Sequence, residues 1–247
     1  MSEETQKLTL IQHLTELRSC LIRSFIALTV STLLCLYFSK EIFRYLQKPL
    51  LAVMPEGSGF IATTPLEGLI TYLKVSILAG VFLASPFILY QIWRFVAPGL
   101  YRSEKRLAGA FVFLSTLFFV GGAMFGYYVI FPVGFRFFVI TLQGTEIKFL
   151  PQMKEYLGFI SKMLLTFGAV FEMPLILILL AKIGIIRHQM LSKARKYVLV
   201  LMFLIAGILT PGPDVLSQVL LAVPLLILYE LSALAVWVME RKSAPVK

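Results

Sequence analysis

The fold class of this chain is decided by apolar stretches such as residues 70–92, which have the sequence ITYLKVSILAGVFLASPFILYQI. Lys74 is the only charged side chain in this stretch. A helix needs about 20 apolar residues to cross the hydrocarbon core of a bilayer. The stretch is long enough, so it predicts a helix that crosses a membrane.

Further apolar stretches lie on both sides of this one, at residues 20–38, 107–131, 156–181, 197–209 and 216–238. The stretch at 20–38 is borderline in length for a span, and the stretch at 197–209 is short. The chain is 59% hydrophobic and 15% charged, whereas soluble domains contain about 25% charged residues. We predict an all-α integral membrane protein with six transmembrane helices, organised as a single membrane domain over residues 1–247.

The distribution of Lys and Arg predicts the orientation of these helices. Most of them fall in the segments that would lie inside if the N-terminus is inside, so both termini are predicted to be cytoplasmic. Trp93 and Trp237 fall at cytoplasmic ends, as aromatic belt residues do. The outside loops 39–64 and 132–155 are long and contain amphipathic pieces such as residues 131–142. We expect these loops to form a structured cap.

Local signals mark the second predicted helix. Residues 64–67, with the sequence TPLE, form a capping box with Pro65 at the first helical position. A helix from Pro65 to Trp93 would be about 43 Å long, which exceeds the hydrocarbon core and requires tilt or protrusion. Pro86 inside it predicts a kink.

Two carboxylates lie in predicted cytoplasmic segments. Glu16 belongs to an amphipathic helix over residues 10–23, which is either an interfacial anchor or a platform that presents the carboxylate to a partner. Glu104 lies in the short loop at residues 95–106, where Pro-Gly marks a turn. This basic loop is either a topology signal, with Glu104 locally neutralised, or a binding element.

Glu172 lies near the middle of the predicted span at residues 156–181. A charged side chain at that depth costs at least about 2.5 kcal/mol on insertion scales, so such residues usually face a cavity or have a function. Pro174 leaves the carbonyl of Val170 without its helical partner, which adds a polar group at the same depth. A functional role is favoured over a protonated, hydrogen-bonded structural role.

Residues 209–214, with the sequence LTPGPD, form a tight turn before the last predicted helix. Asp214 is a suitable N-cap residue for that helix. The preceding helix is only about 20 Å long, so the hairpin should thin the bilayer locally. Gln218 then lies near a membrane boundary, where it needs a polar partner. The alternatives are turn and capping chemistry alone, or a contact with another protein.

The sequence contains no catalytic arrangement. Asp214 is the only Asp, and there is no nucleophile–base pair, zinc-ligand spacing or glycine-rich phosphate loop. We therefore predict that the protein is not an enzyme, has no cofactor or metal, and does not bind nucleic acid despite its net charge of +10. An ion-coupled transporter or channel for small solutes is an alternative that explains Glu172. It leaves the cytoplasmic carboxylates unexplained, and no internal repeat is visible.

Four motifs, in order along nearly the whole chain, resemble the TatC family, the multi-span receptor subunit of the twin-arginine protein translocase. They are HLTELR at 13–18, FVAPGLY at 95–101 followed by EKR at 104–106, FEMP at 171–174 and LTPGPD at 209–214. Gly212 departs from the family, in which many members have adjacent prolines at this turn. The resemblance implies a concave bundle in the bacterial cytoplasmic membrane that binds Arg-Arg signal peptides of folded proteins and starts export driven by the proton-motive force.

The resemblance also implies partners and site residues. The partners are TatA- and TatB-type single-span subunits, signal peptides of folded cargo, and further copies of the chain. Glu16 and Glu104 are the expected acceptors of the two arginines, and Glu172 the buried residue that faces the membrane pocket. The remaining implied residues are Arg18, Phe95, Leu100 and Tyr101 for the signal peptide, Thr210 and Gln218 for partner contact, and Pro49, Pro86, Pro174 and Asp214 for structure.

Overall fold

The computed structural model describes residues 2–54, 59–96, 105–142, 150–209 and 215–243, and these are almost entirely helical. A π-helical segment at Gly126–Ile130 joins the helix that ends at Phe125 to the helix that begins at Phe131. An isolated β-bridge pairs Ile61 with Gln152. The helices are α1 (Ser2–Tyr37), α2 (Ser39–Leu46), α3 (Lys48–Leu51), α4 (Glu67–Val96), α5 (Lys105–Phe125), α6 (Phe131–Leu142), α7 (Met153–Phe171), α8 (Met173–Lys182), α9 (His188–Leu209) and α10 (Val215–Ser243).

Five helical stretches of the described chain are long and apolar enough to cross a membrane: Gln12–Tyr37, Glu67–Val96, Gly109–Thr141, Met153–Lys182 and Gln218–Arg241. They confirm the predicted all-α class and five of the predicted spans. The sixth predicted span belongs to α9, whose first half carries Lys193, Arg195 and Lys196. Because these cations shorten its apolar part, α9 does not qualify by length and composition, and a sixth crossing stays a prediction.

The third helical stretch is longer than predicted. We expected it to end near residue 131 and the next residues to form a separate amphipathic piece, but α5, the π-helical segment and α6 are continuous. The stretch Gly109–Thr141 has 33 residues and would be about 50 Å long as a helix. Pro132 does not stop the helix because the helical turn just before it is a wider π-helical turn. In this turn the N–H of Phe131 donates to the carbonyl of Gly126, five residues earlier.

The described residues group into two compact units, Met1–Leu46 with Thr64–Leu117 and Gln47–Thr63 with Phe118–Lys247. In the first unit, α1 and α4 pack at very close range. A Cβ atom on Gly80 would lie 2.5 Å from Thr32 Oγ1 and 2.9 Å from the Thr32 backbone nitrogen. Only glycine permits this approach, as at many helix contacts in membranes.

Helix α4 runs through Pro86 without interruption. Proline has no N–H, so the carbonyl of Phe82 loses its usual helical donor. The hydroxyl of Ser85 donates to that carbonyl at 2.7 Å, which keeps the polar group satisfied within an apolar helix. The helix begins at Glu67, two residues after the predicted start, and the Glu67 N–H donates to the Thr64 carbonyl at 3.1 Å.

In the second unit, α5 and α7 cross through two glycines. A Cβ atom on Gly122 would lie 2.5 Å from the carbonyl oxygen of Phe167, and one on Gly168 would lie 2.9 Å from the ring of Phe119. Each glycine therefore accommodates an aromatic residue of the other helix. The resulting close contact fixes the end of α7, where Glu172 follows Phe171.

The described parts of the segments predicted as a structured cap contain three helices. The first contains α2 and α3, with Pro49 buried in α3, and the second contains α6. Within the second unit, Ile61 N–H donates to the carbonyl of Pro151 at 3.1 Å. The rings of Phe60 and Tyr156 lie 4.8 Å apart, centroid to centroid. Helices and paired backbone are therefore present in the described parts of these segments, and a structured cap outside the membrane stays a prediction.

Candidate functional site

The structure brings residues of two sequence motifs into contact, His13 in the N-terminal half of α1 and Phe95 at the end of α4. The imidazole ring of His13 stacks on the ring of Phe95, with centroids 4.2 Å apart and an angle of 18° between the planes. His13 begins the motif at residues 13–18, and Phe95 begins the motif at residues 95–101. Segments about 80 residues apart in sequence therefore form one surface.

Glu16 lies on α1 one turn beyond His13, so the two side chains are on neighbouring positions of the same helix face. Glu16 and Arg18 are both exposed. Neither forms an ion pair with any residue that the structure describes. Glu16 therefore presents an exposed carboxylate one helical turn from the stacked rings.

The other predicted members of this site, Glu104, Leu100 and Tyr101, lie outside the described residues. The described helices on either side are held together at the point where this loop begins. Trp93 of α4 donates its indole N–H to Ser115 Oγ of α5 at 2.8 Å. The ring of Trp93 also packs edge-on against Phe111, at 4.7 Å between centroids. Trp93 is only 4% exposed, so it anchors the protein interior and is not the lipid-facing belt residue that we predicted.

Sequence reasoning missed Gln91. It lies on α4 one turn before Phe95 and is only 2% exposed. Its Oε1 atom has no hydrogen-bond partner among the described residues, which is costly for a buried amide. A polar amide within the apolar sequence around Leu89 was the available signal. Gln91 is therefore a buried polar group one helical turn from Phe95 on α4.

Glu172 lies where the span Met153–Lys182 is interrupted. Helix α7 ends at Phe171 and α8 begins at Met173, with Pro174 as its second residue. The Glu172 N–H donates to the Ala169 carbonyl at 3.2 Å, and its own carbonyl accepts from Ile176 N–H at 3.0 Å. The side chain is 6% exposed. The sequence predicted a single helix with an unpaired Val170 carbonyl at this depth, whereas the structure has two helices that meet at the buried Glu172.

Gln218 makes a contact within the chain. Its side-chain amide donates to the carbonyl of Phe203 at 2.7 Å and so joins α10 to α9. A Cβ atom on Gly207 would lie 2.9 Å from Gln218 Nε2, so glycine leaves room for this bond. The polar partner that the sequence required for Gln218 is thus a backbone carbonyl. Thr210 and Asp214, predicted in the adjoining turn, lie outside the described residues.

A polar network at the start of α9 was also missed. Arg195 of α9 pairs with Glu230 of α10 at 2.8 Å, with both side chains about half exposed. The His188 backbone N–H donates to Glu240 Oε1 at 2.9 Å. His188 Nδ1 lies 3.2 Å from the carbonyl of Ala233 and must carry the proton, because a carbonyl can only accept. These pairs depend on which helix faces meet, and the sequence does not show that.

The described residues contain no group of His, Cys, Asp and Glu side chains that could hold a metal ion. Cys20 and Cys35 are free thiols. The described chain is a set of long apolar helices with a few carboxylates and amides among them. This defines a multi-span α-helical membrane protein.

Comparison with known proteins identifies the particular family. Residues 12–224 match the family model of the Sec-independent protein translocase protein TatC. The TatC protein of Desulforapulum autotrophicum is 47% identical over 242 residues, which cover 98% of this chain and 89% of the relative. The TatC protein of Escherichia coli K12 is 39% identical over 230 residues, which cover 93% and 87%. The chain belongs to the TatC family.

Solved structures agree with this assignment. A crystal structure of the twin-arginine translocase receptor TatC in the detergent DDM superposes with a TM-score of 0.82 at 40% identity, covering 91% of this chain and 99% of that one. A second crystal structure of that receptor gives a TM-score of 0.80 at 40% identity. The protein is therefore a membrane component of the Sec-independent protein translocase, and it belongs to the protein-transport machinery.

Proposed function

We propose that this chain is the receptor subunit of the translocase and binds the twin-arginine signal peptides of folded proteins. The observation that carries this proposal is the stack of His13 on Phe95. It brings the motif that contains Glu16 against Phe95, the first residue of the sequence motif that leads to Glu104, and so supports the proposal that the two carboxylates share one binding surface. Arg18, Leu100 and Tyr101 complete the proposed peptide contacts.

Electrostatics supports arginine as the ligand of this surface. A guanidinium group pairs with a carboxylate through two parallel hydrogen bonds, whereas an ammonium group acts as a point charge. The chain has a net charge of +10, so the general field repels a cationic peptide. Binding must then depend on individual carboxylates, and it should be salt-sensitive and select Arg-Arg over Lys-Lys.

The test is binding of Arg-Arg and Lys-Lys signal peptides to the purified protein in detergent. Replacing Glu16→Gln and Glu104→Gln removes the charges with little change in shape. Each charge-assisted pair contributes about 1.5–3 kcal/mol, so each single variant should bind the Arg-Arg peptide at least about tenfold more weakly. Glu155→Gln, which removes an exposed carboxylate from α7, is the matched control. Unchanged affinity in the double variant, or equal binding of the two peptides, would reject the site.

We assign Glu172 a later step in transport. A carboxylate that is buried at a break in a membrane helix can attract polar groups of partner helices or of an inserted signal peptide. Glu172→Gln should therefore reduce export of a folded reporter by at least about tenfold while leaving peptide affinity within about twofold. Glu172→Asp is the control that keeps the carboxyl group. Normal export by Glu172→Gln would return this residue to a structural role.

The topology and partners complete the proposal. The chain crosses the bacterial inner membrane six times as one domain, with α9 as a short fifth crossing, both termini cytoplasmic, and α2, α3 and α6 on the periplasmic side. It works with TatA- and TatB-type subunits and further copies of itself, and the proton-motive force drives export. Thr210 and Gln218 contribute to partner contact. Pro49, Pro86, Pro174 and Asp214 shape the helices and turns.

A further inference from the structure

A groove of about 610 Å³ runs along α10 beside the first half of α9. Its wall is mostly apolar, and α10 contributes Val223, Ile227, Leu231 and Leu234, each between 44% and 56% exposed. The paired side chains of Arg195 and Glu230 also line it. From Val223 to Trp237 the groove extends about 21 Å along the helix axis, a little more than the hydrocarbon thickness of one leaflet, about 15 Å. An exposed apolar groove of this length is suited to an acyl chain or to another helix.

One end of the groove is polar and cationic. Trp237 and His188 line it there, and the guanidinium of Arg241 lies over the Trp237 ring, 3.9 Å from its centroid. Arg187, which is exposed, directly precedes His188. Tryptophan and arginine are the residues that usually mark the boundary between hydrocarbon and headgroups. This end of the groove therefore has the character of the membrane interface.

The charges around the groove are not balanced. The stretches 187–196 and 230–241 contain five cationic side chains (Arg187, Lys193, Arg195, Lys196 and Arg241) and two carboxylates (Glu230 and Glu240). Both carboxylates already have partners in the chain, because Glu230 pairs with Arg195 and Glu240 accepts from the His188 N–H. The remaining positive charge is complementary to an anion at the interface.

We propose that this groove binds an anionic phospholipid. The acyl chain lies along Val223, Ile227 and Leu234, and the phosphate lies at the Arg187 and Arg241 end. Cationic pockets between membrane helices bind anionic headgroups through such arginines, since a guanidinium pairs with phosphate in fork geometry. A partner helix could fill the apolar part, but it would leave the local excess of positive charge without a complement.

The test uses Trp237 as a reporter within the groove. The chain has two tryptophans, so Trp93→Phe leaves Trp237 alone. This variant is placed in nanodiscs of phosphatidylcholine that contain increasing fractions of brominated phosphatidylglycerol or brominated phosphatidylcholine, whose bromine atoms quench nearby tryptophan. We expect brominated phosphatidylglycerol to bind about fivefold more tightly than brominated phosphatidylcholine. One basic residue near the membrane surface increases the affinity for an anionic lipid by about this factor. Native mass spectrometry of the wild-type chain should likewise show retained phosphatidylglycerol, and this second measurement does not need the Trp93 substitution.

Two variants separate the headgroup from the groove. In the double variant Arg187→Gln with Arg241→Gln, brominated phosphatidylglycerol and brominated phosphatidylcholine should bind about equally. Both lipids should still quench Trp237. Arg136→Gln, which removes an exposed cation that does not line this groove, should keep the fivefold preference. Equal quenching by both lipids in the chain with intact arginines would overturn the selection of an anionic headgroup. Absence of quenching by either lipid would overturn lipid binding altogether and favour a protein occupant.

Discussion

The helix pairs α1–α4 and α9–α10 hold together in different ways. Helices α1 and α4 approach closely through Gly80, against which Thr32 packs. Helices α9 and α10 are joined by polar bonds, among them Gln218 to the Phe203 carbonyl at 2.7 Å and Tyr229 to the Leu191 carbonyl at 2.8 Å. The first pair uses small residues for cohesion, and the second uses polar ones.

This difference determines which polar groups remain available. On α1, Glu16 is exposed and forms no ion pair within the described chain. On α10, Glu230 and Glu240 are already engaged by α9. Contact between backbones through glycine requires no side-chain hydrogen bonds, so it leaves charged groups free to recognise a ligand. Where polar side chains hold two helices together, those side chains are already bonded within the chain.

The largest expected effect comes from breaking the glycine contact. In Gly80→Leu, the new side chain must displace the backbone of Thr32, which cannot move as a side chain can. We expect a loss of about 3 kcal/mol or more in stability, at the upper end for overpacked sites. Thermal unfolding in detergent, followed by circular dichroism, measures it. Gly68→Leu on the same helix, where a Cβ atom meets nothing within 4 Å, should unfold close to the wild-type temperature. Equal behaviour of the two variants would contradict the close packing.

A smaller effect is expected at Gln218, where a bond within the chain can be separated from a contact with partner subunits. Gln218→Ala removes the hydrogen bond to Phe203, which is worth about 1 kcal/mol, or about 3 °C in unfolding temperature for a chain of this size. Gln189→Ala, which truncates an exposed glutamine of α9, is the control. If Gln218 also contacts partner subunits, their co-purification should fall in the same variant. A normal unfolding temperature with reduced co-purification would show that the partner contact outweighs the internal bond.

Length and composition were sufficient to predict most of the helices. Five of the predicted spans are present because crossing a bilayer requires long apolar runs, which are visible in sequence. The loss of a backbone donor two residues after Glu172 was also predictable, since Pro174 has no N–H. The continuation of α5 into α6 was not, because Pro132 normally interrupts a helix, and only a local π-helical turn accommodates it here.

The candidate sites were less predictable than the helices. Glu16 was found because a carboxylate on an amphipathic helix stands out, but its position beside Phe95 depends on how α1 meets α4. The pairing of Arg195 with Glu230 depends in the same way on the faces of α9 and α10. Contacts between helices are set by rotation about each helix axis. In lipid, where both faces of a helix are apolar, periodicity gives little information about that rotation.

The smallest expected effect concerns the ion pair of Arg195 and Glu230. Both side chains are about half exposed, and exposed pairs typically contribute about 0.2–1 kcal/mol. A double-mutant cycle with Arg195→Gln and Glu230→Gln, measured by thermal unfolding in detergent, should therefore give a coupling energy in that range. A coupling above about 2 kcal/mol would mean that the pair is shielded from water and is a principal bond of the hairpin. A coupling near zero would mean that the ion pair does not stabilise the contact between α9 and α10. The hydrogen bonds of Gln218 and Tyr229 would then hold these helices together, and the difference from the α1–α4 pair would rest on uncharged hydrogen bonds alone.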